Sequence, residues 1–217
     1  MEKIEFDIEK MAHNESYRLL SSLVVPRPIA FVTTISANGI VNAAPFSFFN
    51  MMGSEPPIVV LGVTRDDGRG FGLKDTARNI LENGEFVINL VGENIINEMN
   101  IGAIDFPPEA SEIENSNLHL FDSKKIKVPC IAESAANFEC RHVVTNEIGR
   151  NRVTIGEIVH LHLGAEFYDA ETRHVLTEKI GIVGRMHGGA NYTKTSQIFA
   201  LSRITFADWQ QKNGKDK

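Results

Sequence analysis

Asn38-Gly39 sits between two runs rich in β-branched and aromatic residues, residues 28–35 (PIAFVTTI) and the stretch that begins at Ile40. Both residues of an Asn-Gly pair accept φ > 0, which makes it the strongest short signal for a hairpin. The first strands are therefore expected to be antiparallel neighbours. Residues 57–64 (PIVVLGVT) read as a third, buried strand, and residues 85–91 (EFVINLV) as another. Residues 134–144 and 151–163 form a second expected hairpin, turning around Gly149, and residues 198–204 a last short strand. Strands dominate and the clearest neighbours are hairpins, which favours an antiparallel barrel with inserted helices, mainly β in the α+β class, over a βαβ repeat.

Two helices interrupt the strands. Leu73, Ala77, Ile80 and Leu81 recur at one helical face, with Asp75 as the expected N-cap and Gly84 just past the end. Ile95, Ile96 and Met99 suggest a second, short helix. Residues 1–16 read as a polar lead-in. Residues 104–117, with Pro107-Pro108 and many acids, read as a loop, and residues 179–192 as a glycine-rich loop. No repeat or low-complexity linker divides the chain, so one domain is expected over residues 1–217, with its core at about 17–203.

The charge balance excludes some classes of function. A formal net charge of −6 with only short basic clusters disfavours nucleic-acid binding. No apolar run is long enough to span a bilayer, and the acidic N-terminus is no secretory signal, so a cytoplasmic protein without membrane contact is expected. Without secretion, the acceptor pattern at Asn191-Tyr192-Thr193 carries no meaning. Cys130 and Cys140 fit neither a CxxC pair nor a zinc set and are expected as free thiols. His160 and His162 share one strand face, no nearby acid or cysteine completes a site around them, and no metal site is expected.

Three segments carry candidate chemistry. Lys74-Asp75-Thr76 opens a helix, where free N–H groups and a lysine attract an anion, and Arg65 ends the strand before it. An ordinary capped helix explains the same residues. The stretch Val41–Asn50 (VNAAPFSFFN) alternates like a strand until Pro45, which confines it to an edge, a bulge or a strand end. It is either core packing beside a bulge or a wall against the faces and edges of a flat heterocycle. Gly184–Tyr192 (GRMHGGANY) is either a surface loop or a close backbone approach with Arg185 and Tyr192 as planar polar contacts. The loop at residues 66–72 (DDGRGFG) matches neither GxGxxG nor a P-loop, and neither Ser47 nor Ser202 lies in a GxSxG elbow.

In order and spacing, YRLL, VPRPIAFVTT, the Asn-Gly turn, VNAAPFSFFN, PPIVVLGV, KDTARNI, EFVINLV, FEC, GEIV and GRMHGGANY together resemble the flavin reductase-like family, the FMN-binding split-barrel proteins that include flavoredoxin. The resemblance implies an FMN-binding split β-barrel, a homodimer, and noncovalent FMN near the subunit interface. It implies that Ala44, Pro45, Phe46, Ser47, Phe48 and Asn50 line the isoalloxazine and ribityl chain, and that Lys74, Asp75 and Thr76 hold the phosphate region. Arg185 and Tyr192 would approach from the late loop of either subunit, and Thr33 and Arg65 join the set by position. The implied activity is hydride transfer from NAD(P)H, a transient co-substrate, to FMN, with no catalytic side chain required. The alternatives are an FMN electron carrier for a protein redox partner and a flavin-dependent oxygenase.

Overall fold

A computed structural model describes residues 1–65, 72–107 and 110–213. A helix α1 (His13–Leu23) precedes strands β1 (Ala30–Ile35), β2 (Val41–Phe46), β3 (Phe49–Ser54) and β4 (Pro57–Thr64). Helix α2 (Asp75–Asn83), β5 (Glu85–Leu90) and helix α3 (Ile96–Ile101) follow. After the short pair β6 (Leu120–Phe121) and β7 (Cys130–Ile131) come the long strands β8 (Ala136–Ile148) and β9 (Asn151–Leu163). The remainder is a short pair β10 (Tyr168–Asp169) and β11 (His174–Val175), helix α4 (Thr177–Ile180), a pair β12 (Val183–Arg185) and β13 (Tyr192–Lys194), and helix α5 (Phe206–Asn213).

Seven strands form one antiparallel sheet in the order β2-β1-β5-β8-β9-β4-β3. Its two edges, β2 and β3, are consecutive in the chain and joined only by Ser47 and Phe48. So short a link forces the edges to meet there, and the sheet rolls into a barrel that is tied at this point and split elsewhere along the seam. Two residues per period then send the two faces of β1 into different cores. Ala30 and Val32 face the barrel interior with Val59, Leu61, Phe86 and Ile88, plugged by Ala77 and Ile80 of α2. Ile29 and Phe31 face outward against Ile95 and Met99 at α3 and against Ile113, Leu118 and Ile131. Burial on both faces is why residues 28–35 are apolar without alternation. Each such side chain removed from water contributes about 1.5–3 kcal/mol.

Several expectations change. The Asn38-Gly39 hairpin forms, but only Gly39 takes positive φ, at +84°, and Gly39 N–H donates to Ser36 O at 2.9 Å. A turn with one left-handed glycine replaces a two-residue turn with both residues left-handed. Lys74, not Asp75, is the N-cap of α2, because Asp75 is already helical and pairs with Arg78 one turn on. Leu81 of the expected apolar face is exposed, while Ala77 and Ile80 are buried and Gly84 ends the helix in the left-handed region as expected. The polar lead-in runs into α1, which buries none of its side chains and leaves Tyr17, Leu20 and Leu23 exposed. The loop at 179–192 contains part of α4 and the β12–β13 pair. Residues 198–204 form no strand: Ile198, Phe199, Leu201 and Ile204 are exposed, with no ladder beside them. Most of the 66–72 loop, and Pro108, lie outside the described residues. Among the described residues, no helix is long and apolar enough to cross a membrane.

Candidate functional site

The edge strand β2 is partly sealed from outside. Ser111 Oγ donates to Val41 O at 2.6 Å, and Ala43 N donates to Glu112 Oε2 at 2.9 Å. Two residues further along the same edge, Pro45 has no N–H to offer. Val41 O and Ala43 N–H are thus already bonded. Pro45 and Phe46 instead form part of the shared floor of two clefts.

The broad cleft encloses about 710 Å³ between α1, the end of β2, α3 and the β12–β13 pair. Pro45, Phe46, Ser47, Ile29, Met99 and Tyr192 line it, with Arg18, Arg27, Arg185 and His187. Arg27 is 6% exposed and ties the walls together. Its Nε donates to Ser47 Oγ at 3.3 Å, Nη1 to Ser21 O at 2.5 Å and Val24 O at 3.3 Å, and Nη2 to Met186 O at 3.4 Å. Arg185 lies opposite in a two-way bridge: Arg27 N donates to Arg185 O at 2.9 Å, and Arg185 N to Arg27 O at 2.8 Å. The Arg185 guanidinium sits 4.7 Å above the Tyr192 ring and donates to Gly189 O at 2.6 Å.

The narrow cleft encloses about 190 Å³ and is lined by Asn42, Ala44, Pro45, Phe46, Lys74, Asp75, Thr76, Ala103, Asp105 and Glu112, among others. No side chain caps α2, so its start presents backbone N–H groups here. Thr76 is buried and donates to Asn42 Oδ1 at 2.9 Å; Asn42 Nδ2 donates to Glu112 Oε1 at 2.7 Å. Burial pushes the Glu112 carboxyl above its ordinary range, against the pull of the Ala43 and Asn42 donors, and Asp75 adds to the rise. Gly102 closes the floor between the clefts. A Cβ there would stand 2.6 Å from the Phe31 ring and 2.8 Å from Ala43 O.

The two clefts share Pro45, Phe46 and Ala103, so they form one bent trough. It brings together Ala44, Pro45, Phe46, Ser47, Lys74, Asp75, Thr76, Arg185 and Tyr192, with Arg185 and Tyr192 in the same chain as the rest. Four expected residues stand outside it. Thr33 is buried on the opposite face of β1 from Thr34, its Oγ1 donating to Pro129 O at 2.8 Å and accepting from Asn89 Nδ2 at 3.2 Å. Phe48 is exposed, edge-on to Tyr17 and 5.8 Å from the Arg27 guanidinium, so it braces α1 from outside. Asn50 bonds the N–H of Met51 at 2.8 Å on β3. Arg65 lies beside Gly72, next to the segment that leads into α2, rather than in a cleft wall. Arg18, Arg27, Ala103 and Glu112 are among the lining residues that sequence reasoning missed. For Arg27 the signal was present in VPRPIAF, a lone cation between two prolines and an apolar strand.

A second polar cluster lies away from the trough. Cys130, Glu139 and His162 bring their ligand atoms within 4.8 Å of one another. The sequence separates them, and the fold places them together. Glu139 is fully buried and accepts from Lys124 N at 2.6 Å, Lys125 N at 2.7 Å and His162 Nε2 at 2.6 Å. Burial alone would raise its pKa, but these donors outweigh burial and hold the carboxyl below its ordinary range. The hydrogen bonds account for the cluster as a brace between the 123–130 segment, β8 and β9. Burial also raises the Cys130 and Cys140 thiols above their ordinary value, Cys140 far above it, and both are free.

A model described as the flavin reductase like domain matches residues 21–176. The Bacillus subtilis protein YwrF is 42% identical over 91% of this chain and 98% of its own length. Among solved structures, nitrilotriacetate monooxygenase component B from Bacillus cereus superposes with a TM-score of 0.86 at 30% identity, covering 93% of this chain and 100% of that one. The 2-nitrobenzoate 2-nitroreductase NbaA of Pseudomonas fluorescens does so with a TM-score of 0.84 at 33% identity, covering 94% and 98%.

Proposed function

The chain belongs to the flavin reductase-like family, and from that premise we propose that it is an oxidoreductase binding FMN noncovalently along the trough. One observation carries the reading: the broad and narrow clefts meet at Pro45 and Phe46. The wide end offers apolar and aromatic surface, from Ile29, Phe46, Met99 and Tyr192, for a flat ring system. The narrow end offers an uncapped helix start with Lys74, suited to a phosphate. These residues fit the group. Ala44 and Pro45 would run beside the linking chain, Ser47 would meet the ring edge, and Arg185 with Tyr192 would close the ring from the far wall. Thr76 acts through Asn42, holding the strand edge in place for Lys74. Thr33, Phe48, Asn50 and Arg65 are not proposed as ligand contacts.

Bound FMN supplies the two-electron chemistry, with NADH or NADPH as the hydride donor. The chain supplies binding, orientation and a site open enough for a second substrate to reach the ring. No side-chain acid or base is required. The names of the two close structural neighbours, a monooxygenase component and a nitroreductase, support a redox role and favour delivery of electrons to a further acceptor over a purely structural flavin.

The proposal extends to the whole chain as one such domain, cytoplasmic and homodimeric. Exposed Leu20, Leu23 and Val24 at one end of the chain and Phe199, Leu201, Phe206 and Trp209 at the other supply apolar surface for a second copy. Light scattering on the purified protein should give twice the chain mass; a monomer overturns that part. The activity is tested by loading with FMN and titrating anaerobically with NADH and NADPH. Bleaching of the flavin absorbance is expected. FMN uptake without bleaching by either donor would favour an electron carrier that takes electrons from a protein partner, and no FMN uptake would refute the reading.

A further inference from the structure

The broad cleft is charged against the sign of the molecule. The chain carries 22 Lys and Arg against 28 Asp and Glu, yet among the described residues no acid lines this cleft, while Arg18, Arg27 and Arg185 do. Among the described residues, no carboxylate pairs with any of the three. Arg27 is the most telling. Buried charged side chains ordinarily carry an opposite charge, but all of its partners are neutral, one hydroxyl and three carbonyls. The backbone bridge then sets Arg185 directly across from it. Like charges placed opposite one another across a strand pair are unfavourable. Arg18 adds a third cation from α1, its Nε bonded only to Asn14 O at 3.2 Å. The molecule has assembled three guanidinium groups around one opening and balanced none of them.

We propose that this opening holds the oxyanion of the second substrate, so that the protein selects co-substrates bearing a carboxylate or phosphate over neutral ones. The inference rests on the flavin reading only for what the anion is next to. Guanidinium groups make charge-assisted, fork-shaped contacts with both oxyanion types. A cationic cleft on an acidic protein also draws anions in preference to the remaining surface. The flavin phosphate occupies the other end of the trough, at Lys74, and leaves the arginines for the partner in electron transfer.

Calorimetric titration of the full chain, with FMN present and without it, separates the possibilities. The probes are benzoate, inorganic pyrophosphate and benzamide, the last a neutral analogue of the first. One anion is expected to bind at one per chain with FMN in place, and benzamide at least about tenfold more weakly. Preference for benzoate marks a carboxylate substrate; preference for pyrophosphate marks a dinucleotide. Arg18→Gln should weaken the anion about tenfold and Arg18→Lys should recover part of it, with FMN affinity the same in both. The proposal is overturned if neither anion binds, if benzamide matches benzoate, if Arg18→Gln binds the anion as tightly as wild type, or if bound FMN abolishes the anion signal, which would give the arginines to the flavin phosphate. Anion binding in a chain that takes up no FMN would refute the flavin reading and leave this one standing.

Discussion

The two halves of the trough offer an anion different physics, although they share a floor. Among the described residues the broad half carries three arginines and no acid. The narrow half carries one lysine beside Asp75, Asp105 and Glu112. Side-chain charge would favour an anion in the broad half only. What qualifies the narrow half is short-ranged: the N–H groups at the α2 start, Lys74, and acids that have partners of their own. Asp75 pairs with Arg78, and Glu112 holds Ala43 and Asn42. A cleft can therefore attract a phosphate through a few aimed donors or through accumulated charge, and this molecule carries the residues for one device at each end.

The strongest break in that comparison is Lys74→Ala with Thr76→Ala. It should weaken FMN by roughly tenfold to a hundredfold, the scale of losing one charge-assisted contact and the Thr76–Asn42 bond that steadies the strand edge, while riboflavin, which lacks the phosphate, changes little. Fluorescence quenching of the two flavins measures both, and equal loss for the two would move the phosphate out of the narrow half. Gly102→Val attacks the shared floor instead. Its side chain would collide with Phe31 and Ala43 O, destabilising the fold by about 1–3 kcal/mol, or roughly 3–10 °C in Tm for a chain of this size. Thermal denaturation reads it, and an unchanged Tm would show that the floor yields. Tyr192→Leu sharpens the broad half alone. It removes the ring under Arg185, a contact of about 0.5–1 kcal/mol, and should raise the KM of an anionic donor a few-fold with a smaller effect on FMN.

The smallest effect is a pH slope. The folded Glu112 carboxyl sits above its ordinary value of 4.5, so the folded state holds this proton more tightly than the unfolded chain. The stability it confers is complete below that value and is lost as pH rises through the folded pKa. Glu139, held below 4.5, runs the other way: its stability is present at neutral pH and lost as pH falls through its folded pKa. Urea unfolding of Glu112→Gln and Glu139→Gln between about pH 4 and 7 should give wild-type-minus-variant differences of opposite slope. Parallel slopes would mean that burial at Glu112 and the donors around Glu139 do not set their ionisation.

Local chemistry was legible in the sequence, and long-range juxtaposition was not. The turns at Gly39 and Gly149, the strands 57–64 and 85–91, and α2 with its Gly84 terminus follow from residues adjacent in the chain. The barrel class followed from hairpins, and the family from the order of segments. Errors of one residue mattered more. The Asp75 cap moved to Lys74, and Thr33 proved to be on the far face of a strand whose next residue, Thr34, belongs to the Asn42 network. Helix α1 was not legible as a core element because it buries none of its side chains: Tyr17, Leu20 and Leu23 stay exposed. Arg27 and Arg185 meet through a single bridge between the two ends of the fold, and Cys130, Glu139 and His162 meet through three elements. No local pattern encodes such meetings.

The strand order also has a consequence for how the chain is made. The middle of the sheet, β8 and β9, is the last part of it to be synthesised, and the edges are among the first. Until residue 163 has left the ribosome, β2-β1-β5 and β3-β4 are separate ladders, linked through Ser47 and Phe48 and through the segment that carries α2. Each carries an open edge where the central hairpin will insert. Arg185 and Tyr192, which complete the far wall, emerge later still. A nascent chain stalled anywhere before that point holds the motif VNAAPFSFFN in full and has no pocket around it.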